Sequence, residues 1–70
     1  MAEPFKNWID EALVRTAGEL AERHRLRAAD AMHLASAMRV RDAGTVFVSF
    51  DRRLRDAAAA EGFDVLPEAV

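Results

Sequence analysis

Two aspartates occupy positions at which a carboxylate could do chemistry. Asp51 follows, after Phe50, a short apolar run at residues 45–49 that is typical of a strand. Ligands of parallel α/β sheets bind beyond the carboxyl ends of the strands. Asp30 stands in the first turn of a very apolar helix pattern at residues 26–40, where an unpaired charge is costly unless it is solvated or bound to a metal. If the two positions converge, two carboxylates meet at one cleft, and Mg²⁺ or Mn²⁺ is the natural ion between them.

Each of these aspartates also has an ordinary structural interpretation. Asp51 can simply be the N-cap of the helix that follows it, because aspartate is favoured there. Asp30 can be a helix N-terminal charge that pairs with Arg25 or Arg27. His33, one turn after Asp30, is predicted to be a packed, hydrogen-bonded histidine rather than a metal ligand.

The other polar side chains are predicted to have structural or solvent-exposed positions rather than a role in chemistry. Ser49 can be a plain strand-end hydroxyl, and His24 a loop histidine near a helix end. Six arginines form two clusters along the sequence. Arg23, Arg25 and Arg27 are predicted to be a solvated turn, and Arg52, Arg53 and Arg55 a solvated helix face.

Hydrophobic periodicity predicts two helices ahead of the strand. The first is amphipathic, with an apolar face made of Phe5, Trp8, Ile9, Ala12, Leu13, Thr16, Ala17, Leu20 and Ala21. After a break at residues 24–25, the second begins near Ala28, is apolar on most sides and is therefore expected to be buried. It is expected to end at Gly44 in a left-handed cap.

The remaining residues predict a βαβ unit. The strand at residues 45–49 is expected to be buried on both faces, and the helix at residues 52–61 to bury Leu54, Ala57 and Ala58 and to end at Gly62. A second strand at residues 63–66 stops at Pro67, and the two strands should pair in parallel. Two short strands are not a self-sufficient sheet, so the first strand needs a neighbour on its other edge. We therefore expect oligomerisation or a missing piece.

Composition limits the class of protein. Seventy residues allow one small domain, and the lack of cysteine excludes a disulfide or a thiolate zinc site within them. The formal net charge of −2 gives no strongly basic surface. No apolar run approaches the ~20 residues of a membrane span, and no secretion signal is apparent. A cytoplasmic protein without membrane contact is expected.

Three sequence segments together resemble the C-terminal half of a PIN domain, most closely that of VapC-type toxins. They are Leu-Arg-Ala-Ala-Asp-Ala-Met-His-Leu-Ala at residues 26–35, Val-Phe-Val-Ser-Phe-Asp-Arg-Arg-Leu at residues 46–54, and residues 58–62 with Val65. The family has an Asp-Ala-small-His-Leu-Ala helix, an apolar strand that ends in Thr/Ser-x-Asp, and a short helix with glycine before the last strand. All three occur here in order and at compatible spacing.

The resemblance implies a metal-dependent ribonuclease whose site gathers three or four acidic residues around Mg²⁺ or Mn²⁺. Asp30 and Asp51 would bind the metal, Ser49 would orient the acidic cluster, and a metal-activated water would attack an RNA phosphodiester. An antitoxin protein would be a partner. PIN domains begin with a strand that carries Asp and a helix that carries Glu, and this sequence matches neither.

The expectation is therefore an α/β, partial PIN-like fold of order α-α-β-α-β, in which residues 1–70 are the C-terminal portion of a truncated or split PIN-like domain. The N-terminal half or a second copy would complete it. A non-catalytic interaction or oligomerisation module derived from a PIN domain is the alternative. A helix-turn-helix DNA binder at residues 5–41 is disfavoured, because the second helix is too apolar to lie in a groove.

Overall fold

The computed structural model describes residues 9–68, and its elements follow the predicted order of helix, helix, strand, helix and strand. Their bounds are α1 Glu11–His24, α2 Ala28–Val40, β1 Val46–Val48, α3 Arg52–Ala60 and β2 Asp64–Leu66. The α/β fold class is thereby confirmed. Phe5 and Trp8, assigned above to the face of the first helix, lie outside the described residues. None of the described helices is both long and apolar enough to cross a membrane.

The sheet consists of β1 and β2, which pair in parallel as predicted. Val46 lies opposite Asp64 and Val48 opposite Leu66. The pairing continues one residue further, where the Ser49 N–H donates to the Leu66 carbonyl at 3.1 Å. Within residues 9–68 the sheet has only these two strands, so the outer edge of β1 carries no partner strand there.

One continuous core joins the helices to the sheet. Leu13 and Leu20 of α1 pack with Leu34 of α2, and all three are essentially inaccessible to solvent. Leu26 is buried at the corner between these helices. The rings of Phe47 and Phe63 lie 5.6 Å apart between their centroids. The buried face of α3 is the one predicted: Leu54, Ala57 and Ala58.

The prediction that β1 is buried on both faces is wrong. Phe47 is 4% exposed, whereas Val46 is 45% and Val48 59% exposed. Successive side chains of a strand point to opposite faces, and the described helices cover only the face that holds Phe47. The exposed valines therefore belong to an apolar sheet face that nothing within residues 9–68 covers.

The helices are also less buried than their apolar patterns predict. α2 buries the single stripe Ala31, Leu34 and Ala35, while Val40 is exposed. On the first helix pattern, Ile9 and Ala12 are exposed rather than part of the inner face. An apolar pattern shows which surface of a helix is able to be buried. The neighbouring elements determine what fraction of that surface is actually buried.

The prediction of a left-handed cap at Gly44 is wrong as well. α2 ends at Val40, because Arg41 has an extended backbone with φ −69° and ψ 149°. Gly44 instead belongs to a turn organised by Asp42, whose Oδ1 accepts from the Gly44 N–H at 2.9 Å. Gly62, with φ +96°, does end α3 as predicted.

Glu61 ties the end of α3 to the end of α1. Its carboxylate oxygen Oε2 lies 2.7 Å from both His24 Nε2 and Arg23 Nη1, and its carbonyl accepts from Arg41 Nη1 at 2.7 Å. The hydrogen bond to His24, assisted by Arg23, holds the pKa of Glu61 below its ordinary value of 4.5. Helices that are distant in sequence are thus joined by an ionised carboxylate.

This contact predicts a specific acid sensitivity. A depressed carboxylate pKa contributes stability that is present above the ordinary pKa and is lost as the pH falls through the lower, folded-state value. We expect the free energy of unfolding to fall below about pH 4.5, and Glu61→Gln to remove part of that slope. Urea unfolding across a pH series measures it. Glu22→Gln is the control, because Glu22 is exposed on α1. An equal change of slope in both variants would contradict the prediction.

Candidate metal centre

Asp30 and Asp51 line the same cleft. The cleft has a volume of about 400 Å³ and lies between the α1–α2 connection and the first turn of α3. Its lining consists of Arg25, Leu26, Arg27, Asp30, Asp51, Arg52 and Arg53. Because Asp51 comes after β1, the cleft is at the carboxyl end of that strand. The fold thus brings together the two carboxylates that the sequence singles out.

Asp51 is the N-cap of α3 and keeps one carboxylate oxygen available. Its Oδ1 accepts from the backbone N–H groups of Arg53 at 2.9 Å and Leu54 at 3.3 Å. Its Oδ2 has no hydrogen bond with any residue in the described part of the chain. Capping and ligand binding are therefore compatible, since the cap fixes the carboxyl group and uses one side of it.

Ser49 fixes the turn that carries Asp51. Its hydroxyl oxygen accepts from the Asp51 N–H at 3.0 Å, and its carbonyl accepts from Arg55 Nη1 at 2.8 Å. With its own N–H bound to Leu66, Ser49 is held to both β2 and α3. The hydroxyl therefore positions the backbone of Asp51.

Asp30 is the third residue of α2, and its side chain is half-buried. In the described part of the chain, that side chain forms no hydrogen bond or ion pair, so the pairing with Arg25 or Arg27 considered above is not formed. A half-buried carboxylate without a partner, in a cleft with a second carboxylate, has the character of a cation ligand.

Neither His24 nor His33 lines this cleft. The ring of His33 packs against Phe47 with 5.0 Å between centroids, but His33 is exposed and makes no hydrogen bond among residues 9–68. It is thus packed as predicted, yet not hydrogen-bonded. His24 is the last residue of α1 and is bound to Glu61.

The donor set is small but of the right chemistry. Over residues 9–68 no group of three or more His, Cys, Asp or Glu side chains is arranged to hold a metal ion. Mg²⁺ commonly takes one or two protein carboxylates and keeps several waters. Asp30 and Asp51, with oxygens that no residue in the described range 9–68 binds, therefore fit as part of a Mg²⁺ or Mn²⁺ site.

The arginines of the cleft were not identified as functional from the sequence. The sequence predicts a solvated surface for these residues, but in the fold four of them line the wall beside the aspartates: Arg25, Arg27, Arg52 and Arg53. One feature of the sequence could have indicated a role for these arginines. They stand close to Asp30 and Asp51 in the sequence, near the starts of two helices that the fold brings together.

Comparison with known proteins gives consistent results. Residues 4–60 match the family described as PIN domain. The chain is similar to ribonuclease VapC45 of Mycobacterium tuberculosis (strain CDC 1551 / Oshkosh) and to ribonuclease VapC49 of strain ATCC 25618 / H37Rv. Each is 55% identical to it over 51 residues, which are 73% of this chain and 35% of the relative. The aligned part thus spans about a third of the length of these relatives. No solved structure matches significantly.

Proposed function

Since this chain belongs to the PIN domain family, we propose that it contributes part of the active site of a VapC-like, metal-dependent endoribonuclease. The observation that carries the proposal is the shared cleft of Asp30 and Asp51 at the carboxyl end of β1. Residues 1–70 then form the C-terminal portion of a PIN-like domain. RNA is the substrate, and an antitoxin protein is a partner, in the cytoplasm.

Asp30 and Asp51 are the proposed ligands of Mg²⁺ or Mn²⁺. Both carboxylates have oxygens that no residue in the range 9–68 binds, which leaves them available to a cation. When bound, such an ion supplies a water of lowered pKa and neutralises charge on the phosphate. The protein's own contribution is to hold two negative charges at fixed places in one cleft.

The helix starts give the two aspartates their rigidity. The Asp51 carboxylate is fixed by two backbone N–H groups of α3, and Ser49 fixes the backbone of Asp51 from the strand side. Ser49 therefore acts as a positioning residue. Asp30 is carried by the first turn of α2, whose Leu34 and Ala35 are anchored in the core.

Two carboxylates alone are a weak magnesium site, because the hydrated ion gives up water reluctantly. We propose that the other acidic residues come from an N-terminal half of the domain, on a strand that pairs with the outer edge of β1. The outer edge of β1 has no partner strand within residues 9–68, and two short strands are not a self-sufficient sheet, which supports this pairing.

A non-catalytic interaction module is the second candidate. It is favoured by the same apolar surface, in which Phe50 is 90% exposed and Leu66 46% exposed beside the valines of β1. A second copy of the chain or an N-terminal half of the domain would cover this surface. Association without any hydrolysis after reassembly would favour this candidate over the nuclease.

Reassembly tests the proposed function directly. The 70-residue chain is mixed with the N-terminal part of a VapC relative and incubated with end-labelled single-stranded RNA and Mg²⁺, Mn²⁺ or EDTA. We expect negligible cleavage by either piece alone and metal-dependent cleavage by the complex, because only the complex has the full acidic set. Robust cleavage by the bare chain, or no cleavage by a complex shown to have formed, would contradict the proposal.

A further inference from the structure

The cleft that holds the two aspartates also concentrates positive charge. Four of the chain's ten Lys and Arg residues line it, although the whole chain has a net charge of −2. Arg25 and Arg27 flank the start of α2, on the side of Asp30, and Arg52 and Arg53 open α3, next to Asp51. Each of the two aspartates therefore has, within five residues of it in the sequence, two arginines that line the same cleft.

These arginines are not used for the internal contacts of the described fold. Within residues 9–68, the side chains of Arg25, Arg27 and Arg53 form no hydrogen bond or ion pair, and Arg52 has only a loose 3.9 Å contact with exposed Asp56. By contrast, Arg23 binds Glu61 and Arg55 binds the Ser49 carbonyl. The guanidinium groups at the cleft thus remain available to a ligand.

The backbone of Arg25 has a left-handed conformation. It is the one non-glycine residue of the described chain with a positive φ, 55°, a conformation in which glycine is usual after a helix. Its N–H closes α1 by donating to the Ala21 carbonyl. Glycine would adopt this conformation more easily, so the backbone of Arg25 does not depend on its side chain.

Carboxylates and guanidinium groups that make at most one loose contact within residues 9–68 lie in one cleft, and they call for a ligand that satisfies both. A phosphodiester strand with a divalent cation does so, because the cation binds the carboxylates while arginines bind phosphate oxygens in bidentate fashion. An acidic peptide would satisfy the arginines but would leave the aspartates facing further negative charge. The pattern therefore favours a nucleic acid strand over an acidic protein segment.

We infer that Arg25, Arg27, Arg52 and Arg53 bind the phosphates of the RNA strand that the cleft receives, on both sides of the phosphate held next to the metal. The inference rests on the proposed function for the identity of the ligand. It adds the residues that bind the strand, and it makes their contribution independent of base sequence, since phosphate contacts carry no sequence information.

Salt-dependent binding tests this inference. Fluorescence anisotropy of labelled oligo(U) and oligo(A) is measured with the full chain in Mg²⁺ over a salt series, and a gel verifies that the RNA stays intact. Each single-strand phosphate contact contributes about 0.7 to the slope of log affinity against log salt. We expect Arg53→Gln to lower the slope by about 0.7 and the Arg52→Gln, Arg53→Gln double variant by about 1.4, equally for both sequences.

Arg25→Gly separates binding from folding. Glycine relieves the left-handed backbone, so its Tm is expected to be no lower than that of the wild type, while the salt slope still falls by about 0.7. Arg15→Gln is the matched control, because Arg15 is exposed on α1 and does not line the cleft. Unchanged slopes in the cleft variants, or an equal loss in Arg15→Gln, would overturn the inference.

The binding result is separable from the nuclease result. Arginine-dependent binding without cleavage by the reassembled complex would leave this inference standing and remove the proposed activity. Cleavage that is insensitive to substitution of all four arginines would support the proposed activity and overturn this inference. A Glu-rich peptide that binds in an arginine-dependent manner, when the RNA does not, would assign the cleft to an acidic protein partner and overturn the inference.

Discussion

Asp51→Asn is expected to reduce RNA cleavage by the reassembled complex at least about 100-fold, since losing ~3 kcal/mol of charge stabilisation corresponds to more than two powers of ten in rate. Asparagine keeps an oxygen that can accept from the Arg53 and Leu54 N–H groups, and it is as good an N-cap as aspartate. The fold should therefore survive while the negative charge at the cleft is lost. Initial cleavage rates and a thermal melt of the same sample measure the two effects separately.

The matched control for this variant is Asp64→Asn. Asp64 is an exposed aspartate that pairs with Val46 at the amino end of the sheet, away from the cleft. Its substitution should leave the cleavage rate within about twofold of the wild type, because its charge is distant from the site and screened by solvent. Equal cleavage rates for the wild type and Asp51→Asn, at equal stability, would contradict the prediction and would show that Asp51 acts only as a helix cap.

Leu34→Ala is expected to abolish cooperative folding of the chain or to bring it close to that point. The Leu34 side chain is 0% exposed, in the part of α2 that packs with α1 in the core. Truncation of a buried leucine costs about 3–5 kcal/mol through lost burial and the cavity left behind. A chain of this size has only about 4–10 kcal/mol of stability at ~0.05–0.15 kcal/mol per residue. Circular dichroism melts measure the loss.

Leu66→Ala is the control for this prediction, because it removes the same atoms from a side chain that is 46% exposed. Its effect should be less than half that of Leu34→Ala, since less apolar surface returns to water and no closed cavity forms. Similar losses in the two variants would show that the packing around Leu34 is not the main source of stability.

Local sequence patterns were sufficient for the parts of the fold that depend on near neighbours. The helical spacing of Leu13, Ala17 and Leu20 correctly identified the buried face of α1, and the aspartate ahead of residues 52–61 correctly identified the start of α3. Gly62 marked the end of α3 because a left-handed residue is needed there. Capping and periodicity are encoded within a few residues, so they can be recognised without tertiary structure.

Features that depend on distant parts of the chain could not be predicted in the same way. The run at residues 45–49 is apolar enough for burial on both faces, but burial of Val46 and Val48 requires a covering element that the described residues do not supply. The end of α2 at Val40 depends on a turn that Asp42 builds with Gly44 and Thr45. A glycine pattern alone could not distinguish that turn from a left-handed cap.

The candidate site likewise has features that the sequence could predict and features that it could not. The chemistry of Asp30 and Asp51 could be inferred from their positions at two element starts, and the fold places both in one cleft. The bond from the Asp51 N–H to the Ser49 hydroxyl and the availability of Arg25 could not be inferred. They depend on side-chain orientations that only the packed connections determine.

Paramagnetic broadening by Mn²⁺ tests most directly whether Asp30 and Asp51 share a divalent cation. The amide resonances of the ¹⁵N-labelled chain are recorded during a Mn²⁺ titration, with wild type, Asp30→Asn, Asp51→Asn and Asp64→Asn in parallel. Broadening is expected to centre on the residues around Asp30 and Asp51, to weaken in both cleft variants and to persist in Asp64→Asn. Broadening centred on Asp64 or Asp42, or unaffected by either cleft substitution, would contradict a metal site at this cleft.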